Sequence, residues 1–209
     1  MAAMDQSKLD RMCSAINASA QAYVSEVSAD VRDLTSTFND NWVSNSARQL
    51  AQEITDALNA LADAIMTTFS NKNEDIKVSV NNFNEVEGEG ISYSGFEFGK
   101  PGTEIVLNNT LPNGKLGVAD GADLNTINTP MGSLVNNVNN NLDAIKNAVN
   151  GADAFDMAEA QALTDSVTRI KDDFNAKMEE LENSLSTRMS GEIGLRENLD
   201  STNQSNLGA

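Results

Sequence analysis

The residue types that most often carry catalysis or bind metals are scarce in this chain. It contains one cysteine, Cys13, and no histidine. A disulfide within the chain and a zinc site of Cys and His ligands are therefore excluded. No nucleophile elbow, phosphate-binding loop or dinucleotide fingerprint occurs in the sequence. We expect no catalytic residue, no cofactor and no metal, and we predict that the protein is not an enzyme.

Carboxylates are the remaining groups that could perform acid–base chemistry. Asp172 and Asp173 are adjacent in a predicted helix, and so are Glu179 and Glu180. Neighbouring residues of a helix point about 100° apart, which argues against a shared acid–base site. Residues 71–75 carry part of a calcium-loop pattern, and a polar linker is the favoured interpretation.

The charge of the chain limits its partners. It has 14 Lys and Arg against 31 Asp and Glu, and its formal net charge is −17. Nucleic acid and anionic lipid are bound by clustered Lys and Arg, so we expect neither as a partner. The acidity favours solubility. An acidic docking face for a basic partner is the alternative.

Residues 5–86 predict a first helical hairpin with its turn near 39–45. Its first helix is expected to begin at an N-cap near Ser7, and its second at Ser44 or Asn45, with a kink or an end at residues 70–74. Apolar or small residues recur at steps of three and four, which keeps one face of each helix apolar. In the first helix they are Leu9, Met12, Ile16, Ala20, Tyr23, Val27, Val31, Leu34 and Phe38. In the second they are Val43, Ala47, Leu50, Ile54, Leu58, Leu61, Ile65 and Phe69, resuming at Ile76, Val80 and Phe83. Two matched stripes joined by a short polar turn predict antiparallel pairing.

Residues 87–120 are glycine-rich and predict a small β insertion. Apolar and polar residues alternate at 91–93 and 96–98, as they do in strands. A turn signal follows at 99–102. We expect a β-meander or an irregular hairpin at about 90–118.

Residues 121–190 predict a second helical hairpin with its turn near 150–155. Thr129 is expected as an N-cap, with Pro130 in the first helical position. The apolar stripes of this hairpin are Leu124, Ile127, Met131, Leu134, Val138, Leu142, Ile145 and Val149, then Phe155, Ala160, Leu163, Val167, Ile170, Phe174, Met178, Leu181 and Leu185. Residues 191–209 are predicted to form a polar tail. The predicted fold class is mainly α: two long antiparallel helical hairpins, forming a four-helix bundle or a rod, with a small β-rich insertion between them.

The two predicted hairpins share a spacing. Trp42 opens the second helix of one, and Phe155 opens that of the other. At five, eight and twelve residues further on, similar side chains recur: Ala47 and Ala160, Leu50 and Leu163, Ile54 and Val167. Duplication and shared hairpin geometry both account for these matches.

Residues 5–86 resemble the WXG-type proteins of type VII secretion, which are small helical hairpins with Trp-x-Gly at the turn. Here the turn reads Trp42, Val43 and Ser44, with Ser in place of Gly. The resemblance implies that Trp42 either closes the end of the hairpin or anchors a partner. Phe155 is a more distant counterpart. Family members are about half as long, and their export motif after the hairpin is not evident here.

Two functional hypotheses follow. The first is a non-enzymatic hairpin protein that associates with itself or with a sister hairpin protein, as the resemblance implies. The alternative is a structural subunit of a phage virion or another large assembly, with the Asn-rich run 136–141 in a polar interface between copies. The first residues lack a basic region followed by an apolar run. We therefore expect cytoplasmic synthesis without a conventional signal peptide, followed by export through a specialised route or incorporation into a virion. No apolar run is long enough to span a membrane.

Overall fold

Four long helices make up most of the molecule, which confirms the predicted mainly α fold class. The structure is a computed structural model that describes residues 4–152 and 158–207. The helices are α1 (Gln6–Asn41), α2 (Asn45–Glu87), α3 (Leu124–Ala152) and α4 (Ala158–Leu207). Two short strands, β1 (Trp42–Val43) and β2 (Gly117–Val118), pair antiparallel, with Trp42 opposite Val118. None of the described helices combines the length and hydropathy that a membrane crossing requires.

The predicted apolar stripes form one hydrophobic core. Every stripe residue predicted for α1 is buried, and Cys13 beside them is only 2% exposed. The stripe of α2 is buried from Val43 to Phe69 and again at Ile76 and Val80. The polar residues 70–74 do not end this helix. Most of the buried apolar residues of the four helices belong to a single cluster.

Two helix starts differ from the prediction. The N-cap of α1 is Asp5, whose carboxylate accepts the backbone N–H groups of Ser7 and Lys8 at 2.9 and 3.2 Å. The hydroxyl of Ser7 also donates to this carboxylate, and these bonds hold the pKa of Asp5 below its usual value. Helix α3 begins before Pro130, which lies inside the helix. Asp123 and Thr126 exchange hydrogen bonds of 3.1 Å at its start and satisfy backbone N–H groups there.

The predicted polar tail is largely helical. Helix α4 continues to Leu207, well past residue 191. Met189 is fully buried and Ile193 packs against the core, so apolar contacts continue where the regular pattern fades. Glu192 and Arg196 add hydrogen bonds that hold this part of the helix to the rest of the chain.

The helices pair across the two predicted hairpins, and within a hairpin only α3 and α4 pack directly, so the direct antiparallel pairing predicted for the first hairpin is wrong. Helix α1 packs against α3, and α2 packs against α4. Asn137 and Asn141 of α3 donate to Asp30 and Glu26 of α1, which shows that these two helices run antiparallel. Helices α3 and α4 also pack directly and antiparallel.

An extended stretch lies between α1 and α2, and we call residues 91–109 the inserted segment. Its residues bond to both helices along most of their length, whereas α1 and α2 make little direct contact with each other. The predicted meander is not found: within the described stretch 88–118, only β2 is a strand. Side chains of the helices bond the backbone of the inserted segment where a neighbouring strand would otherwise do so.

Candidate interaction site at the Trp42 turn and the groove between the first two helices

Trp42 lies at the turn between α1 and α2 and is fully buried. Its ring stacks on Phe38, with the centroids 5.9 Å apart, and its indole N–H donates to Glu192 of α4 at 2.9 Å. Val118 faces Trp42 across the two-stranded ribbon. The indole therefore closes this end of the core, and a partner cannot reach it in this conformation.

Ser44, the third residue of the turn, has two polar contacts of its own. Its hydroxyl oxygen accepts the backbone N–H of Ala47 at 3.1 Å and so caps α2. The same hydroxyl donates to Glu192 at 2.7 Å. A glycine could make neither contact. The Trp-x-Ser turn is therefore tied to α4 through the carboxylate of Glu192.

Arg196 lies one helical turn beyond Glu192 and holds the other strand of the ribbon. Its guanidinium donates to the carbonyl oxygens of Val118 and Ala119 at 3.2 and 3.0 Å. Glu192 therefore contacts the segment that contains β1, and Arg196 contacts β2 and the residue after it. Sequence reasoning missed this pair, and its one local signal is the spacing of four residues on α4.

The structure brings three of the four predicted site residues together. Trp42, Val43 and Ser44 form the turn, and the first two are fully buried. Phe155 lies outside the described residues. Among the described residues, no group of three His, Cys, Asp or Glu side chains is arranged to hold a metal ion. Burial raises the pKa of the Cys13 thiol, which keeps it protonated at neutral pH.

A groove between α1 and α2 holds the inserted segment. On the α1 side, polar side chains contact it at intervals of 11 residues, and they are Gln6, Asn17, Ser28 and Asn39. Three of the four are amides that both donate to and accept from the backbone of the segment. Asn39, for example, donates to the carbonyl oxygen of Val106 at 3.1 Å and accepts the N–H of Asn108 at 2.6 Å.

Helix α2 supplies a second row of contacts from the opposite side. Asn84 both donates to and accepts from the backbone of Ile91, at 2.7 and 3.0 Å. Asn73, again 11 residues away, does the same with Phe96. Further along the groove, Thr55 accepts the N–H of Ile105 at 3.1 Å, and Arg48 donates to the carbonyl oxygens of Asn108 and Asn109.

The spacing of these contacts has a geometric basis. Eleven residues of α-helix rise about 16.5 Å, which is three turns along nearly the same face. Five residues of extended chain cover about the same length. Successive α1 contacts meet the segment at Ser92, Glu97, Gly102 and Asn108. A polar side chain every 11 residues is therefore the sequence signal that could have revealed the groove.

Apolar side chains of the inserted segment point into the core between these contacts. Phe96 is 2% exposed and packs edge-on against Phe69 of α2, with the ring centroids 5.6 Å apart. Thr103 and Ile105 are buried, whereas Glu104 and Val106 are exposed. The alternation of apolar and polar residues in this segment thus corresponds to alternate buried and exposed side chains, as in a strand, although the segment packs against helices.

The arrangement can bind and hold polypeptide, since it combines backbone-directed hydrogen bonds with apolar pockets. Comparison of the chain with protein-family models, with curated proteins and with solved structures finds no match.

Proposed function

We propose that the protein is a non-enzymatic helical interaction protein that associates with a second copy of itself, or with a sister hairpin protein, in the manner of the WXG-type proteins that residues 5–86 resemble. In this proposal the four helices form one compact bundle and not a rod. The single observation that carries the proposal is an exposed pair of leucines near the end of α4.

Leu195 and Leu199 are both 65% exposed. They are four residues apart on a helix, so they lie on one face. They come after Met189, which is fully buried, and neighbouring residues such as Ile193 and Arg196 hold this stretch to the rest of the chain. Scattered exposed leucines are ordinary, but a pair on one face of a helix end is typical of a helix–helix contact.

The choice of partner surface follows from burial. Trp42 is covered by the ribbon and by Glu192, so a partner has no access to it in this conformation. The leucine face of α4 is accessible at the same end of the molecule. We therefore place the contact on α4, with Trp42 supporting the helix end from inside.

The net charge of −17 distinguishes self-association from binding to a basic partner. Two copies of this chain repel each other, and added salt screens the repulsion. Self-association through leucines should therefore strengthen with salt. Binding of a basic partner to an acidic face should weaken with salt.

The virion hypothesis stays a prediction. It expected the Asn-rich run 136–141 in an interface between copies. Three asparagines of that run bond within the chain, to Asp30, Glu26 and Asn175. This run therefore adds no support for that hypothesis.

The test is sedimentation velocity of the full chain over a wide concentration range, at low and high salt. We expect a dimer or a larger species that gains population with salt, and we expect the double variant Leu195→Ser, Leu199→Ser to lose this salt-dependent gain. The matched control is Val78→Ser with Val86→Ser, which replaces two exposed valines of α2 and should associate like the wild type. A wild-type chain that stays monomeric at every concentration and salt level would contradict the proposal. Loss of association in the valine variant equal to that in the leucine variant would also contradict it.

A further inference from the structure

We infer that the groove between α1 and α2 is a binding site for an extended polypeptide, and that a second copy of this chain can fill it. In the resulting dimer, residues 91–109 of each copy lie in the groove of the other. This inference rests on the proposed function insofar as both require a second copy, but it uses a different surface.

The contacts that hold α1 and α2 in place come almost entirely from the second half of the chain. Helix α1 packs on α3, α2 packs on α4, and the inserted segment lies between α1 and α2. Strand β1 pairs with β2, and Glu192 fastens the turn. The first half, residues 4–87, therefore depends on a second half to bury its apolar faces.

The groove recognises its occupant mainly through the backbone. Asn73 and Asn84 each both donate to and accept from the main chain of the inserted segment, as Asn39 does on α1. Such bonds accept any extended chain, and pockets for alternate side chains provide the selectivity. Phe96 and Ile105 fill those pockets. The occupant that fits best in trans is therefore the same segment of another copy.

One short link connects the two halves. It consists of Gly88, Glu89 and Gly90, all exposed. Gly88 ends α2 with a φ of 71°, a left-handed conformation that favours glycine. A side chain added at Gly88 or at Gly90 would meet no atom within 4 Å. If this link opens, the second half can dock on another copy through the same contacts, and the closed and exchanged forms differ mainly at the link.

The groove offers a direct reporter of which copy fills it. The N–H of Gly102 donates to the Ser28 hydroxyl at 2.8 Å. A Cβ built on Gly102 lies 3.9 Å from the Cβ of Ser28, within the range that a disulfide spans. Ser28→Cys and Gly102→Cys should therefore form a disulfide whenever the groove is filled, within one chain or between two.

The experiment uses full-length chains in a Cys13→Ala background, because Cys13 is the one native cysteine. A chain with Ser28→Cys and a chain with Gly102→Cys, carrying different tags, are co-expressed and oxidised. We expect a shift from monomer to a covalent dimer that contains both tags. Deleting Glu89 and Gly90 should increase this dimer, since a shortened link disfavours the closed monomer.

Two controls make the result decisive. Ser28→Cys co-expressed with Glu97→Cys should give no covalent dimer, because Glu97 meets α1 at Asn17, 11 residues from Ser28. A single chain with both Ser28→Cys and Gly102→Cys should form the disulfide internally. The inference is overturned if that internal disulfide forms while co-expressed single variants give no dimer, even with the shortened link. Failure of the internal disulfide would also overturn it. Repeating the mixture with Leu195→Ser and Leu199→Ser separates the two proposals, because exchange should persist without the leucine contact.

Discussion

The two helix pairs of this molecule carry similar apolar stripes but pack differently. Helices α3 and α4 lie directly against each other, with Lys171 bonded to Asp143 at 2.6 Å and Asn139 bonded to Asn175 at 2.9 Å. Helices α1 and α2 have the inserted segment between them. Their stripes meet Phe96 and Ile105 where a neighbouring helix would otherwise lie.

The difference teaches that polar residues beside an apolar stripe decide what the stripe packs against. A buried extended chain brings backbone N–H and C=O groups that need partners. Helices α1 and α2 supply those partners from Asn17, Asn39, Asn73 and Asn84. The polar contacts between α3 and α4 instead join side chain to side chain, which suits two helices in direct contact.

Removing the most buried aromatic side chain of the inserted segment should destabilise the first pair most. Phe96→Ala leaves a cavity beside Phe69, and we expect a loss of about 3–5 kcal/mol in the free energy of unfolding. Urea denaturation followed by circular dichroism measures it. Val106→Ala in the same segment removes a side chain that is 58% exposed and should change stability by less than about 0.5 kcal/mol. Equal effects of the two changes would show that the segment is not part of the core.

Removing one amide from each pair sharpens the comparison. Asn73 makes two bonds to Phe96 and accepts the Tyr93 hydroxyl at 2.6 Å. Asn73→Ala leaves these groups without their hydrogen-bond partner, and we expect the free energy of unfolding to fall by about 1–3 kcal/mol. Asn139→Ala in the second pair should cost less, because the buried Oδ1 of Asn139 already lacks a hydrogen-bond partner. Hydrogen exchange at the Phe96 amide should speed up only in the Asn73 variant.

The matched control for Asn73 is Asn71→Ala, two residues away on the exposed side of α2. Its stability should stay within about 0.5 kcal/mol of wild type. If Asn71→Ala costs as much as Asn73→Ala, the loss reflects the helix itself and not the groove.

The smallest expected effect lies where α1 of the first pair meets α3 of the second. Burial raises the pKa of Asp30, and the nearby carboxylates of Asp33 and Glu26 add to the rise, against the hydrogen bond from Asn137. The folded protein therefore holds this proton more tightly than the unfolded chain does. The contribution of Asp30 to stability is greatest at acid pH and falls as pH rises from 3.8 through the raised folded value.

Asp30→Asn should therefore stabilise the protein at neutral pH, by less than about 1 kcal/mol, and the gain should vanish at acid pH. Thermal unfolding at a series of pH values measures it. Glu104→Gln removes one charge from an exposed position of the inserted segment and controls for net charge. If the Asp30→Asn variant is less stable than the wild type at neutral pH, the hydrogen bond from Asn137 stabilises the carboxylate by more than its burial costs.

The local pattern of the sequence predicted the helices well. The steps of three and four identified every buried stripe residue of α1, and the polar break identified the turn at Trp42. The start of α3 and the end of α4 were missed. At those ends, Asp123 with Thr126 and Glu192 with Arg196 supply hydrogen bonds that apolar periodicity does not reveal.

The candidate site was predicted only in part. Trp42, Val43 and Ser44 were recognised as a turn, but their partner Glu192 is about 150 residues away in the sequence. The alternation at 96–98 predicted extended backbone and implied a sheet. A sheet was the natural expectation because strands usually satisfy one another. Here Asn73 and Asn17 take that role from the sides of two helices.

The sequence by itself determined the four amphipathic helices, the turn at Trp42 and the extended character of the inserted segment. Each depends on side-chain periodicity over a few turns, and that periodicity is local. The tertiary structure alone decided which stripe packs on which, and that α1 and α2 are held apart. Four stripes of similar aliphatic composition bury equally well against one another, so periodicity cannot choose among them. The packing of α1 and α2 is instead set by the amides that bond the backbone of residues 91–109. These bonds form only when α1, α2 and the inserted segment come together in the folded chain.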